Sequence, residues 1–369
     1  MIPSEIYAET LAGLLAPLQP FLDDPSVSEV MINGPAQIFI ERAGKLELTH
    51  ARFDSSGAIM AALRNVAQYA GSFVDENNPI LEARLPDGSR VEAVVAPIVH
   101  DGPVVAIRRF SRTTLTLGRL IEFDAVTPDA ASALQALAIA KCNIAVAGGT
   151  GSGKTSLLNV MAACIPETER VLVLEDTREI AIDKTHVVYM QARKALEDGV
   201  TAISIRDLFR ASLRMRPDRI IVGEIRGPEA LDLVQAMVSG HGGCLTTLHA
   251  SYPRDTLTRL ETMCMMSDVN MPLTAIRMQI GSGLDVIVQV GRLQDGSRKV
   301  THITEVVGFD TETGKYELRD LFVRQYQGLD AHGRARSQLL PTGLPPTFLP
   351  RLQAHGVSLP AAMLRRPEE

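Results

Sequence analysis

Nowhere in this chain is there a run of the ~18 apolar residues needed to cross a bilayer. The opening stretch MIPSEIYAET has no basic segment followed by an apolar core, so no secretory leader is expected. Positive charge is in deficit: 37 Lys and Arg stand against 43 Asp and Glu, a net charge of −6. That balance argues against a bulk electrostatic grip on nucleic acid, and no direct nucleic-acid binding is expected. Cysteine is scarce. Cys142, Cys164, Cys244 and Cys264 include no C-x-x-C pair, which indicates neither a zinc site nor a redox dithiol. They read as small core hydrophobes in a reducing compartment. Internal repeats are also missing. These absences point to a cytoplasmic chain held at a membrane only through partners.

What is present is enough for two domains: 369 residues, 46% of them apolar. Ile6, Leu11, Leu14, Leu15 and Leu18 recur at helical spacing and predict one amphipathic helix over residues 5–22. Short β-like runs follow at Glu29–Asn33, Gln37–Glu41 and Leu46–Thr49, then a helix capped by Ser55 and running to about Gly71. Ile80–Leu85 and Val91–Val95 flank the turn Pro86-Asp87-Gly88-Ser89, and Val104–Arg108 adds a strand. This predicts a small N-terminal α+β domain over 1–110 and a polar linker over 111–124.

From residue 125 to 325 helices alternate with buried strands at Asn143–Ala147, Val171–Leu174, Ile220–Val222 and Leu245–Leu248. That pattern predicts an α/β domain with a largely parallel sheet. Val286–Gly291 and Val300–Val307, joined through Asp295-Gly296, read as an antiparallel hairpin. Residues 326–369, with Pro341, Pro345, Pro346 and Pro350, are expected to form a loosely packed tail.

The chemistry is concentrated in the second domain. Gly148, Gly149, Thr150, Gly151, Ser152, Gly153, Lys154 and Thr155 match G-x-x-x-x-G-K-T between a buried strand and a helix, with Ser156 in the helix's first turn. Glycines let backbone N–H groups converge on a polyphosphate with no Cβ in the way. Lys154 adds charge between the β and γ phosphates, Thr155 offers its hydroxyl to Mg2+, and the helix N-terminus faces the anion. The strand Val171–Leu174 runs into Glu175 and Asp176, and Arg219–Val222 leads through Gly223 to Glu224. Carboxylates at strand C-termini reach the ligand crevice, where one can activate water and another hold the metal through its water shell. His241 and His249 bracket the strand Leu245–Leu248. Arg84 and Arg90 flank the Asp87-Gly88 turn, and Arg108 and Arg109 end a strand; such arginines can neutralise charge on a phosphoryl in transfer.

Taken together, SEVMINGP, FIERAGKL, ARLPDGSRVEAVV, IRRF, AGGTGSGKTS, LEDTREI, RMRPDRIIVGEIRGPEA and SGHGGCLTTLHA resemble the ATPases of type II and type IV secretion and type IV pili, across residues 20–325. The chain is most similar there to the tight-adherence (Tad) pilus branch, the CpaF-like ATPases. The resemblance implies a RecA-like ATPase domain behind a smaller PAS-like N-terminal domain, a hexameric ring, ATP and Mg2+, and work against inner-membrane platform proteins. It assigns Glu175 as catalytic base, Glu224 as the metal-holding acid, His241 and His249 to a histidine box, and Arg90, Arg108 and Arg109 as arginines reaching the phosphates. Arg214 and Arg226 would act across a subunit boundary. The tetracysteine zinc motif of many type II ATPases is absent, and the N-terminal extension common in Tad ATPases is short. A conjugation-type relative moving a DNA–protein substrate shares the same site and stays open. A kinase would need an arginine-rich lid, and a non-catalytic scaffold would not need both Glu175 and Glu224.

Overall fold

The computed structural model describes residues 4–42, 44–109, 115–193, 201–329 and 335–364. The chain divides into two compact units, Met1–Thr113 and Thr114–Glu369.

The first unit opens with α1 (Ser4–Leu14), a 3-10 turn (Ala16–Leu18) and α2 (Gln19–Leu22). The single helix expected over 5–22 is therefore broken. Pro17 and Pro20 each sit in the first turn of a new helical piece, because a proline inside a helix removes a donor and clashes with the preceding turn. Then come β1 (Val27–Asn33), β2 (Ile38–Arg42), β3 (Lys45–Leu48), α3 (Ser56–Tyr69), β4 (Ile80–Arg84), β5 (Arg90–Val94) and β6 (Val104–Arg108). The Ser55 side chain accepts from the Ala58 N–H at 3.2 Å and starts α3 as its cap. The strands form one antiparallel sheet in the order β3-β2-β1-β6-β5-β4. Period-two alternation puts Val30, Ile32, Ile38, Ile40, Val91 and Ile107 into a core shared with α1 and α3, while the opposite face keeps its polar side chains.

The second unit begins with α4 (Leu117–Glu122) and α5 (Pro128–Ile139). β7 (Ile144–Gly148), α6 (Lys154–Ala163), β8 (Val171–Glu175), β9 (Val187–Gln191), α7 (Ile205–Ser212), β10 (Arg219–Val222), α8 (Glu229–Val238) and β11 (Leu245–Leu248) follow. The unit closes with α9 (Pro253–Met265), α10 (Leu273–Gly283), β12 (Val286–Arg292), β13 (Arg298–Asp310), β14 (Lys315–Leu329), β15 (Ala335–Pro341) and α11 (Leu349–Ala354). Its nine-stranded sheet runs β15-β14-β13-β12-β7-β11-β10-β8-β9. The six strands from β12 to β9 are parallel, and β13 to β15 are antiparallel. Two buried clusters, one on each face, sandwich the parallel strands, so β7, β8, β10 and β11 are buried throughout. This is the α/β, RecA-like architecture that the motifs implied. Because these strands are parallel, their C-terminal ends share one edge, where α/β folds bind ligands.

Two expectations change. Residues 111–114 of the linker lie outside the described residues, but its remainder includes α4, capped by Thr116 and anchored by buried Leu120 in the core of the second unit. Residues 326–369 are not loosely packed where they are described: β15 completes the sheet, and Leu339, Leu352, Leu359 and Met363 are buried in the core. The prolines were misleading. Pro341 closes a strand at the sheet edge and Pro350 lies in the first turn of α11, places where the missing N–H does no harm. Among the described residues no helix is long and apolar enough to cross a membrane.

Candidate active site

The loop after β7 is shaped by its glycines. A Cβ at Gly148 would lie 2.5 Å from both the Ser152 Oγ and the Val290 carbonyl oxygen, so only glycine fits. Gly151 (φ 69°) and Gly153 (φ 94°) take left-handed backbone, and Gly153 caps α6. The Ser152 hydroxyl donates to the Gly149 carbonyl at 2.8 Å and closes the loop on itself. Lys154 opens α6 with its side chain folded back: Nζ donates to the Gly149 carbonyl at 3.1 Å and lies 3.4 Å from Nδ1 of His249. Ser156, half-buried, is in the same first turn. The loop thus carries a buried ammonium, converging N–H groups and a helix N-terminus, the set that a polyphosphate requires.

Around it stand the strand-end acids. Glu175, the last residue of β8, is buried, and its Oε1 accepts from the N–H groups of Glu179 (2.8 Å) and Ile180 (3.0 Å). These bonds fix the carboxylate at the end of β8. Beyond β10, Glu224 places Oε1 2.8 Å from His249 Nε2, and Arg226 donates to its Oε2. The Thr247 hydroxyl bonds the Gly223 carbonyl at 2.7 Å and ties the ends of β10 and β11 together. His249 is pushed below the ordinary imidazole value, first by burial and then by the Lys154 ammonium, against the pull of Glu224. It is therefore neutral near pH 7. Lys154 is a donor only, so Nδ1 facing it is the acceptor and the ring proton sits on Nε2, 2.8 Å from the Glu224 carboxylate. Lys154, His249, Glu224 and Arg226 form one chain of contacts at the C-terminal edge of the sheet.

His241 does not join this group. It precedes β11, so it sits at the opposite edge of the sheet, roughly 13 Å away along the four-residue strand. Its N–H bonds the Ala236 carbonyl and its own carbonyl accepts from the Cys244 thiol, which makes it part of the turn into β11. Arg214 is an exposed residue after α7, ahead of β10. Arg226, by contrast, lies within the site: Glu224, Asp176 and Glu179 all stabilise its charge. The cysteines carry no chemistry here: Cys142, Cys244 and Cys264 are buried, and burial pushes each thiol up to about 12.

In the first unit, strand register assembles a row of charge. Direct cross-strand partners run Glu41, Glu29, Arg108, Arg90, Arg84 over β2, β1, β6, β5 and β4. Such partners share one face. Burial and Glu41 push the Glu29 carboxyl up, while Arg108 pulls it down. The row thus passes from two carboxylates to three guanidiniums, with Glu29 and Arg108 meeting where the sign changes. Arg109 is not among them. One residue further along, it turns to the other face and donates to the carbonyls of Val27 (2.9 Å) and Asp24, bracing the entry to β1.

Sequence reasoning missed three residues beside the loop. The Thr155 hydroxyl donates to Glu179 Oε2 at 3.3 Å. Arg298, on the β12–β13 hairpin, donates from Nε to the Gly151 carbonyl at 3.0 Å, with Arg292 next to it. Glu179 belongs to the quoted LEDTREI segment, four residues beyond Glu175, and that spacing was the available signal. For the hairpin arginines no local signal exists, because pairing of β12 with β7 is a long-range event.

A family model described as type II/IV secretion system protein matches residues 13–324. The type IV secretion system protein PtlH of Bordetella pertussis is 33% identical over 323 residues, covering 78% of this chain and 93% of its own. The conjugal transfer protein TrbB of Rhizobium radiobacter is 33% identical over 292 residues, covering 78% and 86%. Among solved structures, the Legionella pneumophila ATPase DotB aligns with a TM-score of 0.56 at 21% identity, over 83% of this chain and 82% of its own, a likeness of fold.

Proposed function

Because the chain belongs to the type II/IV secretion system protein family, we propose that it is a hexameric motor that hydrolyses ATP to power pilus assembly or protein secretion through inner-membrane platform proteins. The observation that carries this reading is the convergence of Lys154, His249 and Glu224 on the P-loop, with the fixed carboxylate of Glu175 at the neighbouring strand end. In this reading the loop N–H groups and Lys154 hold the β and γ phosphates. Glu175 takes the proton of the attacking water, and His249 monitors the γ-phosphate through Lys154. Arg84, Arg90 and Arg108 supply positive charge from the first unit; Arg109 does not. His241 acts outside the catalytic centre.

The site suits magnesium. The Thr155 hydroxyl and the carboxylates of Glu224 and Glu179 are hard oxygen donors, and Thr155 already faces Glu179. Thr155, with Glu224 through water, would hold the ion, which when bound would offset negative charge on the phosphates.

The quoted motifs favour a Tad-type, CpaF-like motor. The likeness to a conjugal transfer protein favours a second reading, a conjugation motor moving a DNA–protein substrate. Both place the chain in the cytoplasm at the inner membrane. Size measurement with and without a slowly hydrolysed ATP analogue, followed by ATPase assay of the same fractions, tests the motor. Turnover should be concentrated in the six-subunit fraction. A monomer turning over ATP at full rate would refute the ring.

A further inference from the structure

From Val286 to Val290, β12 is buried, and Gln289 is the one polar residue in that run. Burying an amide among apolar side chains costs stability unless its donors and its acceptor are all paired. Gln289 is only partly paired. Its Nε2 donates to the carbonyls of Ala250 (2.9 Å) and Ser251 (3.2 Å). Both facing atoms are acceptors, so the amino end must point at them, and the buried Oε1 has no hydrogen-bond partner among the described residues. What the amide contributes is its grip on those two carbonyls.

The carbonyls belong to the turn that carries His249. β11 ends at Leu248 and α9 begins at Pro253, so the turn spans 249–252. Register explains how a side chain two strands away reaches it. Leu248, Ala147 and Gln289 are direct partners across β11, β7 and β12, and such partners share one face. The middle partner carries only a methyl group, which leaves the Gln289 amide room to cross over β7. A strand on the far side of β7 thereby fixes the backbone one and two residues beyond His249. The next carbonyl of β12, that of Val290, lies 2.5 Å from where a Gly148 Cβ would stand. Adjacent residues of β12 thus meet both the first glycine of the P-loop and the His249 turn.

We propose that Gln289 is the positioning residue for His249. By fixing the turn it holds the imidazole between Lys154 Nζ (3.4 Å) and the Glu224 carboxylate (2.8 Å), and so sets how strongly the site distinguishes a nucleoside triphosphate from a diphosphate. Gln289 acts through the backbone and needs no contact with the nucleotide. The proposal rests on the P-loop reading above, in which His249 monitors the γ-phosphate.

The test is a binding titration on the full chain, with Mg2+, using ADP and a slowly hydrolysed ATP analogue. Gln289→Met keeps the length of the side chain and removes its donors. It should weaken the triphosphate analogue roughly tenfold and leave ADP within about twofold. His249→Gln should show the same split. The double variant should bind the analogue no more weakly than either single variant, because both remove one interaction. A merely structural Gln289 would instead weaken both nucleotides together, and its loss would add to that of His249→Gln; either result overturns the proposal, as do unchanged affinities. Should Gln289→Met fail to fold, Gln289→Asn makes the same comparison. It keeps an amide one methylene short of the two carbonyls, so the same split is expected, and full triphosphate affinity would overturn the proposal. If the unaltered chain binds neither nucleotide, or His249→Gln leaves the triphosphate affinity unchanged, the reading of the site falls and takes the proposal with it. If His249→Gln shows the split and Gln289→Met does not, only the positioning role falls.

Discussion

The side chain of Glu175 lies across Gly223: a Cβ at Gly223 would stand 2.8 Å from the Glu175 Cγ. The strand order explains why, since β8 and β10 are neighbours and Leu174 pairs with Val222. The glycine ahead of Glu224 is there for the other acid, giving Glu175 room to reach the crevice.

Gly223→Ala should therefore act on chemistry more than on binding. The methyl group must push Glu175 off its bonds to Glu179 and Ile180. Turnover should fall at least about tenfold, and stability by roughly 1–3 kcal/mol as in other overpacked sites. ATP affinity, set by the loop and Lys154, should stay within about twofold on the same scale of effects. Steady-state kinetics with a parallel binding titration checks this, and an unaltered turnover would show that Glu175 is not held by the space over Gly223.

His249 gives a pH signature. Its folded-state value lies below the ordinary 6.5 because burial and Lys154 disfavour the imidazolium. In the window below 6.5 the unfolded chain takes up a proton that the folded site resists. The stability contributed by neutral His249 is thus present above that window and lost as the pH falls through it. Thermal midpoints of the nucleotide-free chain between about pH 7 and pH 5 should drop more steeply than those of His249→Gln. Parallel curves would show that the imidazole is not held neutral.

The neighbours Arg108 and Arg109 should separate cleanly. Arg108 stands between Glu29 and Arg90, attracted by one and repelled by the other, so Arg108→Gln should leave stability within about 0.5 kcal/mol while lowering ATP turnover roughly a hundredfold or more. Arg109 braces backbone carbonyls, so Arg109→Ala should cost about 1–3 kcal/mol. Its turnover, corrected for the folded fraction, should be retained. Denaturant melts with ATPase assays on both variants read out the contrast, and equal behaviour of the two would contradict it.

The two arginines also show what the sequence made legible. Strand alternation alone puts adjacent residues on opposite faces, so Arg108 and Arg109 were separable from the start. The same holds for His241 and His249: one precedes β11 and the other follows it, which fixes them at opposite edges of a parallel sheet. The P-loop, Glu175 and Glu224 were readable because strand, loop and helix are contiguous there. Glu179 lay in plain view in LEDTREI, but its closeness to Thr155 depends on how β8 packs beside α6. The hairpin arginines and the contribution of residues 335–363 to the core depend on pairings far apart in the chain, which periodicity does not report. Proline-rich composition concealed β15 and α11 because proline stops a helix or strand only in its interior, and here it marks their ends.

The most direct test of the central claim is ATP turnover by Glu175→Gln, with ATP affinity measured on the same sample. Glutamine keeps the shape of the side chain and an acceptor for the N–H groups of Glu179 and Ile180, but it cannot take a proton from water. ATP should bind as it does to the unaltered chain, with turnover lower by roughly a hundredfold or more. Normal turnover in Glu175→Gln would contradict the assignment of the β8 carboxylate as the base of a P-loop ATPase.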